Sequence, residues 1–249
     1  MTMPGTADHS HAVSGSAKVQ TNGFKPTGRY CVVIPAFNAA GTIGPLVQQV
    51  RTLGLPAIVV DDGSGDRTAA VASEHGALVI SHLRNEGKGQ ALRTGFEYAL
   101  RTQYDGIVTL DSDGQHDPAE IPQLVKAGEL QHAGIVLGNR MSSAESMPPS
   151  RRWTNRLMSM IISTLTCRQI PDSQCGFRFI RKELLLDVPL RSVRYEVETE
   201  LLLSASTRRW KIISVPIRTI YSGHASHIKP FRDTVRFLSL LARHAFYRR

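Results

Sequence analysis

The strongest constraint on the fold of this 249-residue chain is an alternation of short apolar runs with helix-like stretches in its first half. The runs are rich in β-branched residues and too continuously apolar to leave one face in water, which is typical of strands buried on both faces of a parallel sheet. Gly76 and Pro118 stand at a predicted helix end and a predicted helix start. The pattern predicts an α/β fold with a wound, mostly parallel sheet flanked by helices. Strands are predicted at residues 30–34, 57–60, 77–81, 106–110 and 135–138, and helices at residues 43–51, 67–74, 90–100 and 119–130.

The second half of the chain is less regular. A loop rich in Pro and Ser at residues 141–150 precedes a predicted amphipathic helix at residues 151–166. An extended piece is predicted at residues 177–180, a helix from about Glu196, and a pair of strands at residues 211–221.

The length fits one domain, since a single hydrophobic core can grow to about this size. Residues 1–27 are rich in Ser, Gly, Ala, Thr and His without apolar periodicity, which predicts a disordered tail. Residues 230–249 predict a basic amphipathic helix, which would either lie at a membrane interface or pack on the domain through the same apolar face. The expected organisation is therefore a tail, one domain at residues 28–229, and this terminal helix.

The composition limits which cellular compartment and which classes of binding partner we expect. The chain has no apolar segment of the length that a membrane span needs and no signal-peptide core. Its three cysteines are odd in number and include no C-x-x-C pair, which favours a reduced, cytoplasmic location. The formal charge of +9, from 30 basic and 21 acidic residues, favours phosphate-bearing partners. Aromatic residues make up only 6%, so we expect no nucleic-acid partner.

Asp111 and Asp113 directly follow a predicted buried strand, with one small residue between them. At a strand end both carboxylates can converge on one hard cation, and Gln115 and His116 are close enough to add or orient a ligand. An Asp- and Gly-rich turn is the alternative explanation. Ligands of a wound sheet collect at the carboxyl ends of its strands, and this position favours the metal site.

Two further polar segments follow strands at the same predicted edge. Asp61 and Asp62 end the second strand, and one of them could accept hydrogen bonds from a nucleobase or ribose. Lys88, between two glycines at a helix start, could meet a phosphate, although a flexible turn is the alternative. The chain lacks a P-loop and lacks G-x-G-x-x-G after the first strand, which disfavours ATP and nicotinamide chemistry. His224 and His227 have no matching ligand pair, so a zinc site is not expected.

Six motifs stand in order between residues 29 and 229. They are VVIPAFN (32–38), VVDDGSGDRT (59–68), NEGKGQALRTG (85–95), LDSDGQHDP (110–118), GNR (138–140) and DSQCGFR (172–178). Together they resemble the signatures of family 2 glycosyltransferases. Within that family the chain is most similar to the dolichol-phosphate mannose synthase group, which also has a glutamate-rich helix like YEVETE at residues 195–200.

The resemblance implies a GT-A, Rossmann-like fold and an inverting glycosyltransferase that uses Mg²⁺ or Mn²⁺. The implied donor is a nucleoside-diphosphate sugar, GDP-mannose or a UDP-sugar, and the implied acceptor is a polyprenyl phosphate, reached by peripheral membrane contact. The implied nucleoside contacts are Pro35, Phe37, Asp61 and Asp62; the metal and diphosphate ligands are Asp111, Asp113 and Gln115; the phosphate contacts are Arg140, Arg178, Ser226 and Lys229.

Two departures from the mannose synthase pattern leave the donor open. Ala39 and Ala40 stand where an acidic residue usually follows P-A-Y-N, and His227 stands where the group usually has Lys. Neither the base nor the sugar can therefore be carried over from the resemblance.

The acceptor stays open between two chemistries. A phosphate monoester is largely dianionic at neutral pH and needs no strong general base to attack a sugar carbon. A saccharide hydroxyl would need one, and Asp172, Glu196 and Glu198 are the candidates. A third hypothesis is a non-catalytic protein that binds nucleotide sugars.

Overall fold

A computed structural model of the chain describes residues 24–142, 147–188, 190 and 196–220. In these ranges a sheet of seven strands is flanked by helices on both faces. The strands are β1 (Tyr30–Ala36), β2 (Ala57–Asp61), β3 (Leu78–Ser81), β4 (Gly106–Thr109), β5 (Ile135–Asn139), β6 (Arg178–Arg181) and β7 (Ile212–Pro216). The helices are α1 (Ala40–Thr52), α2 (Thr68–Glu74), α3 (Lys88–Leu100), α4 (Ile121–Gln131), α5 (Pro149–Thr166), α6 (Lys182–Asp187) and α7 (Glu196–Thr207), with a 3-10 turn at Pro118–Glu120.

The strand order is β3-β2-β1-β4-β6-β5-β7. Strands β1 to β4 run parallel, and β5 pairs in parallel with β7. β6 lies antiparallel between β4 and β5. The predicted wound, mostly parallel sheet is confirmed, but the fourth and fifth predicted strands are not neighbours, because the later strand β6 separates them.

The core lies on both faces of the sheet. Successive side chains of a strand point to opposite faces, and all seven residues of β1 are buried. Val32 and Ile34 join a cluster with residues of α1 and α4, whereas Cys31 and Val33 join a second cluster with residues of α3 and α7. The two-sided burial predicted from the sequence is therefore confirmed for β1.

It is wrong for β3. This strand is at the end of the described sheet, its residues are exposed or only half-buried, and Leu78 is 40% exposed. An apolar run alone does not distinguish an edge strand from a central one.

Helix α3 packs very close to the sheet, which fixes where its first residue lies. A Cβ added at Gly95 would meet the Val33 side chain at 2.4 Å, so only glycine permits this approach. The N-terminus of α3, at Lys88, is thereby held at the carboxyl edge of the central strands.

The structure corrects several expectations for the second half and the termini. Only β7 is described where a strand pair was predicted at residues 211–221, and helix α6 was not predicted. Phe24 packs against the core and Thr27 bonds to Glu129, so residues 24–27 belong to the domain rather than to a tail. The remainder of the predicted tail and the predicted C-terminal helix lie outside the described residues. Among those described, no helix is long and apolar enough to cross a membrane.

Candidate active site

The candidate site lies at the carboxyl ends of β2, β1 and β4, which are neighbouring parallel strands. The loops that follow them are fastened to one another by hydrogen bonds. Thr42 Oγ1 donates to the Ser112 carbonyl at 2.6 Å, which ties α1 to the loop after β4. The Asn38 backbone donates to Ser64 Oγ at 2.9 Å, which ties the loop after β1 to the loop after β2. Asp62 accepts hydrogen bonds from the backbones of Glu86 and Gly87, so the three polar segments predicted at one edge are brought together.

Asp111 is the centre of a charge cluster. Its Oδ1 lies 2.7 Å from Lys88 Nζ, and the same ammonium lies 3.3 Å from Glu198 Oε2. Burial raises the pKa of Asp111, but the nearby Lys88 charge outweighs it and holds the pKa well below its usual range. Asp111 is therefore an ionised carboxylate, only partly covered by its neighbours, and its oxygens are of the kind that bind a hard cation.

Asp113 stands beside it and is exposed to solvent. Its Oδ1 accepts a hydrogen bond from the Gln115 backbone at 3.0 Å. Desolvation by the surrounding protein raises the pKa of Asp113 above its usual value, and repulsion by the negative charge of Asp111 raises it further. A divalent cation between them would relieve this repulsion, so the donor set fits Mg²⁺ or Mn²⁺.

The described residues contain no group of three or more His, Cys, Asp or Glu side chains arranged to hold a metal. This does not conflict with the fit, because Mg²⁺ is commonly bound through one or two carboxylates together with water and substrate phosphates. Gln115, predicted as a further ligand, is buried next to this loop, and its backbone carbonyl accepts a hydrogen bond from Ile220 at 2.9 Å.

Gly176 makes room for the Asp111 carboxylate. A Cβ at this position would lie 2.5 Å from both carboxylate oxygens. Gly176 is held in turn by its carbonyl, which accepts from Thr109 Oγ1 at 2.7 Å. The glycine of the DSQCGFR motif therefore serves the loop after β4, which sequence reasoning missed.

His116 is buried beside Phe177, with ring centroids 5.4 Å apart. Its Nδ1 has no hydrogen-bond partner within the described part of the chain. Burial lowers the pKa of His116 to about 4, so the ring is neutral at pH 7. Its Nε2 lies 4.0 Å from Asp111 Oδ2, and His116 therefore borders the carboxylate without adding charge to it.

Asp62 and Asp61 have different surroundings. Asp62 is 2% exposed and accepts hydrogen bonds from the backbones of Glu86 and Gly87 at 2.9 and 2.8 Å. His82 Nδ1 lies 2.8 Å from the same carboxylate. Asp62 therefore holds the start of α3, and with it Lys88, while its predicted contact with a nucleoside stays a prediction.

Asp61 keeps more of its hydrogen-bonding capacity. The contact described for its carboxylate is a hydrogen bond from the Ser64 backbone at 3.3 Å. Phe37 follows β1 at the same edge and is 48% exposed, whereas Pro35 is buried within β1 opposite Val60. Of the predicted nucleoside contacts, Phe37 and Asp61 are therefore the better placed.

Arg140 and Arg178 are buried and bonded within the protein. Arg140 donates to both oxygens of Asp172, at 2.7 and 2.9 Å. Arg178 is 1% exposed and donates to the carbonyls of Cys175, Ser173 and Glu198 at 2.7, 2.8 and 2.7 Å. Both arginines therefore fix the loop before β6, and Arg178 also fixes the first turn of α7, while their predicted contact with phosphates stays a prediction.

The three candidate bases, Asp172, Glu196 and Glu198, differ in their burial and in their contacts with the site. Asp172 is fully buried against Arg140, and Glu196 is half-buried at the first position of α7. Glu198 alone is seen in contact with Lys88 at the site. Ser226 and Lys229, the remaining predicted phosphate contacts, lie outside the described residues.

Comparisons with known proteins agree with this architecture. The family model described as "Glycosyl transferase family 2" matches residues 31–188. An uncharacterized protein of Methanocaldococcus jannaschii is 35% identical over 200 residues, covering 78% of this chain and 82% of the relative.

Two characterised relatives are similar over most of their length. A UDP-N-acetylglucosamine–dolichyl-phosphate N-acetylglucosaminyltransferase of Methanococcus voltae is 30% identical over 217 residues, covering 78% of this chain and 86% of the relative. A polyprenol monophosphomannose synthase of Mycolicibacterium smegmatis is 29% identical over 210 residues, covering 78% of both chains.

The fold also matches a solved structure. The glucosyl-3-phosphoglycerate synthase of Mycobacterium tuberculosis, in complex with Mn²⁺, UDP and its product, superposes with a TM-score of 0.67 at 22% identity. The match covers 94% of this chain and 85% of that protein. The likeness shows that the two chains share the GT-A fold.

Proposed function

Because the chain belongs to glycosyl transferase family 2 and is therefore a glycosyltransferase, we propose that it moves a sugar from a nucleoside diphosphate to a polyprenyl phosphate. The observation that carries the proposal is the arrangement of Asp111 and Asp113 beside Lys88 at the carboxyl edge of the sheet. This is where a wound α/β sheet binds ligands.

In the proposed site Asp111 and Asp113, with Gln115 beside them, would hold Mg²⁺ or Mn²⁺ and the donor diphosphate. The cation would supply positive charge to the leaving diphosphate, where charge develops as the sugar departs. Lys88 is kept at the same place by Asp62 and by the start of α3, and its ammonium would meet a diphosphate oxygen. The M. tuberculosis protein of the same fold binds Mn²⁺ and UDP, which supports this assignment.

The nucleoside would lie against Phe37 and Asp61, with Pro35 behind them in β1. An exposed aromatic ring can stack on a nucleobase, and a carboxylate can accept hydrogen bonds from a base or a ribose. Arg140 and Arg178 act in this proposal as positioning residues. Ser226 and Lys229 keep their proposed role as phosphate contacts.

The polyprenyl phosphate acceptor is supported by the two characterised relatives, whose names state dolichyl phosphate and polyprenol. A phosphate monoester with a second pKa near 6 is mostly dianionic at pH 7 and attacks without a strong base. The proposed reaction therefore requires only that the site hold the donor, stabilise its leaving group and admit a phosphate.

A second candidate is transfer to a hydroxyl acceptor, and the position of Glu198 favours it. Its carboxylate lies at the site, 3.3 Å from Lys88 Nζ, where it could accept a hydroxyl proton. The Glu198→Gln variant separates the two. Transfer to a phosphate acceptor should fall little, whereas transfer to a hydroxyl acceptor should fall by a factor of about 10² or more.

The experiment that tests the proposal is a panel of UDP- and GDP-sugars with Mn²⁺ and a short-chain polyprenyl phosphate, read by release of nucleoside diphosphate. We expect release that depends on both the metal and the lipid phosphate, and its loss in Asp113→Ala. The matched control is Glu74→Ala, which removes an exposed carboxylate on α2 that pairs with Arg67. Full activity of Asp113→Ala would contradict the metal site. A glycosylated saccharide formed without lipid phosphate would favour the hydroxyl acceptor, whereas release with neither acceptor present reports only hydrolysis of the donor by water.

A further inference from the structure

Helix α5 presents large apolar side chains to solvent. Trp153, Leu157 and Met160 are 74%, 49% and 61% exposed. Their spacing places them on one face of the helix, since residues three and four apart are neighbours on its surface. The opposite side of the helix is packed against the domain, since its residues Asn155, Ser159, Ile162 and Thr166 are buried. Its outer face therefore presents three large apolar side chains, with Arg156 and Thr164 beside them, where a surface helix is usually polar.

The charge of α5 is of one sign. The helix contains Arg151, Arg152 and Arg156, with Arg168 shortly after its end, and it contains no Asp or Glu. A helix with a Trp and Leu face and a basic polar part is the type that lies in the plane of a membrane interface. Of these four residues Arg156 and Arg168 are exposed, and their charge complements the negative surface of a bilayer that contains anionic lipids.

Helix α5 is joined directly to the candidate site. Ser159 Oγ accepts a hydrogen bond from the Ser173 backbone at 2.8 Å, and Ser163 Oγ accepts one from the Ile170 backbone at 3.0 Å. The loop that contains Ser173 continues to Gly176, whose missing side chain makes room for Asp111. A bilayer against the outer face of α5 would therefore lie about one helix diameter, roughly 10 Å, from the loop that precedes β6.

We propose that the Trp153, Leu157 and Met160 face of α5 docks on an anionic lipid bilayer. The inference deepens the proposed function and rests on it, because a polyprenyl phosphate is held in a bilayer and a peripheral enzyme must approach that surface to reach it. The surface recognised is apolar at the depth of the Trp and Leu side chains and anionic around them.

The test is sedimentation of the full chain with vesicles of phosphatidylcholine and phosphatidylglycerol that contain no polyprenyl phosphate. The double variant Trp153→Glu, Leu157→Glu should lower the vesicle partition coefficient by about tenfold or more. The matched control is Leu130→Glu, Leu186→Glu, which makes the same change of charge at leucines that are 71% and 65% exposed outside α5. The control should bind vesicles nearly as well as the unaltered chain. Equal partitioning of the two variants, or no vesicle binding by the unaltered chain, overturns the proposal.

Tryptophan fluorescence tests whether a lipid bilayer covers this face of α5. The chain has two tryptophans, so Trp210→Phe leaves Trp153 as the reporter. We expect its emission to be that of an exposed indole without lipid and to shift to shorter wavelength with anionic vesicles. A buried emission without lipid would mean that another segment or a second copy covers the face, and it would overturn the proposal. A lipid-free dimer that the α5 variant abolishes would do the same.

Failure of the docking surface and failure of the proposed function give different results. The vesicles contain no acceptor, so binding is measured independently of transfer. The α5 variant should retain transfer to a short polyprenyl phosphate dispersed in detergent while losing vesicle binding. Vesicle binding through α5 without transfer to any polyprenyl phosphate would refute the lipid acceptor and leave the docking surface standing.

Discussion

Substitution of Gly176 by alanine should disable the site by displacing Asp111. The added Cβ would lie 2.5 Å from both carboxylate oxygens, whereas ordinary contact begins at 3.4 Å. The carboxylate must therefore move by about 0.9 Å, the difference between these two distances. A misplacement of about 1 Å can lower a rate by about 10²-fold, so we expect kcat/KM to fall by about that factor.

The protein should remain folded, for two reasons. Gly176 is not among the glycines with positive φ, so alanine meets no backbone strain there. The Asp111 side chain is 24% exposed and can swing toward solvent, which limits the cost of the added methyl to roughly 1–3 kcal/mol. The displacement would also lengthen the 2.7 Å contact between Asp111 and Lys88.

The assay compares Gly176→Ala with Gly41→Ala, where an added Cβ meets nothing within 4 Å. Nucleoside diphosphate release gives kcat/KM, the Mn²⁺ electron paramagnetic resonance signal gives metal affinity, and urea unfolding gives stability. Gly176→Ala should lose both activity and Mn²⁺ affinity, and Gly41→Ala neither. Unchanged Mn²⁺ affinity and turnover in a folded Gly176→Ala protein would refute the assignment of Asp111 to the metal.

Three other substitutions test separate parts of the structure. Phe37→Ala should raise the donor KM by about 2- to 12-fold, the equivalent of a stacking contact of about 0.5–1.5 kcal/mol, with little change in stability by thermal unfolding; an unchanged KM would remove Phe37 from the donor site. Asp172→Asn should destabilise the fold by about 3–5 kcal/mol in urea unfolding, because it leaves the buried Arg140 charge uncompensated; a loss under 1 kcal/mol would contradict this. Glu129 accepts hydrogen bonds from Thr27 and Tyr30, and although partial burial raises its pKa, these bonds outweigh it and hold the pKa below the ordinary 4.5. The stabilising effect of the charged form is present above pH 4.5 and is lost as the pH falls through the folded pKa. The unaltered chain should therefore exceed Glu129→Gln in free energy of unfolding by less as the pH falls. A difference that grows on acidification would contradict the lowered pKa.

The first half of the fold was predictable because its signal is local. Buried parallel strands are continuously apolar, and their polar loops follow them directly in the sequence, as Asp111 follows β4. The convergence of the loops then follows from parallel pairing alone. The antiparallel insertion of β6 was not predictable, because the partners of residues 178–181 in β4 and β5 are set by packing between distant segments.

The roles of the charged residues were predicted less well, because the side chains they pair with are far away in the chain. An arginine in a motif indicates phosphate binding from sequence alone, but Arg140 meets Asp172 and Arg178 meets three backbone carbonyls. Lys88 contacts Glu198 across 110 positions of sequence. Whether an arginine contacts a ligand or an internal group depends on how deeply its guanidinium is buried. The sequence around an arginine does not reveal that burial.

The charges at the site give a reason for a divalent cation that does not depend on the resemblance. Asp111, Asp113 and Glu198 contribute three carboxylates, Lys88 contributes one ammonium, and His116 is neutral at pH 7. Among these four charged groups, three negative charges and one positive charge give an excess of two, which the nearby charges of Arg151 and Arg178 reduce. Carboxylates that repel each other would also repel a diphosphate and an acceptor phosphate. A divalent cation held by Asp111 and Asp113 would lower this repulsion beyond what Lys88 provides, so the charges themselves favour the proposed metal.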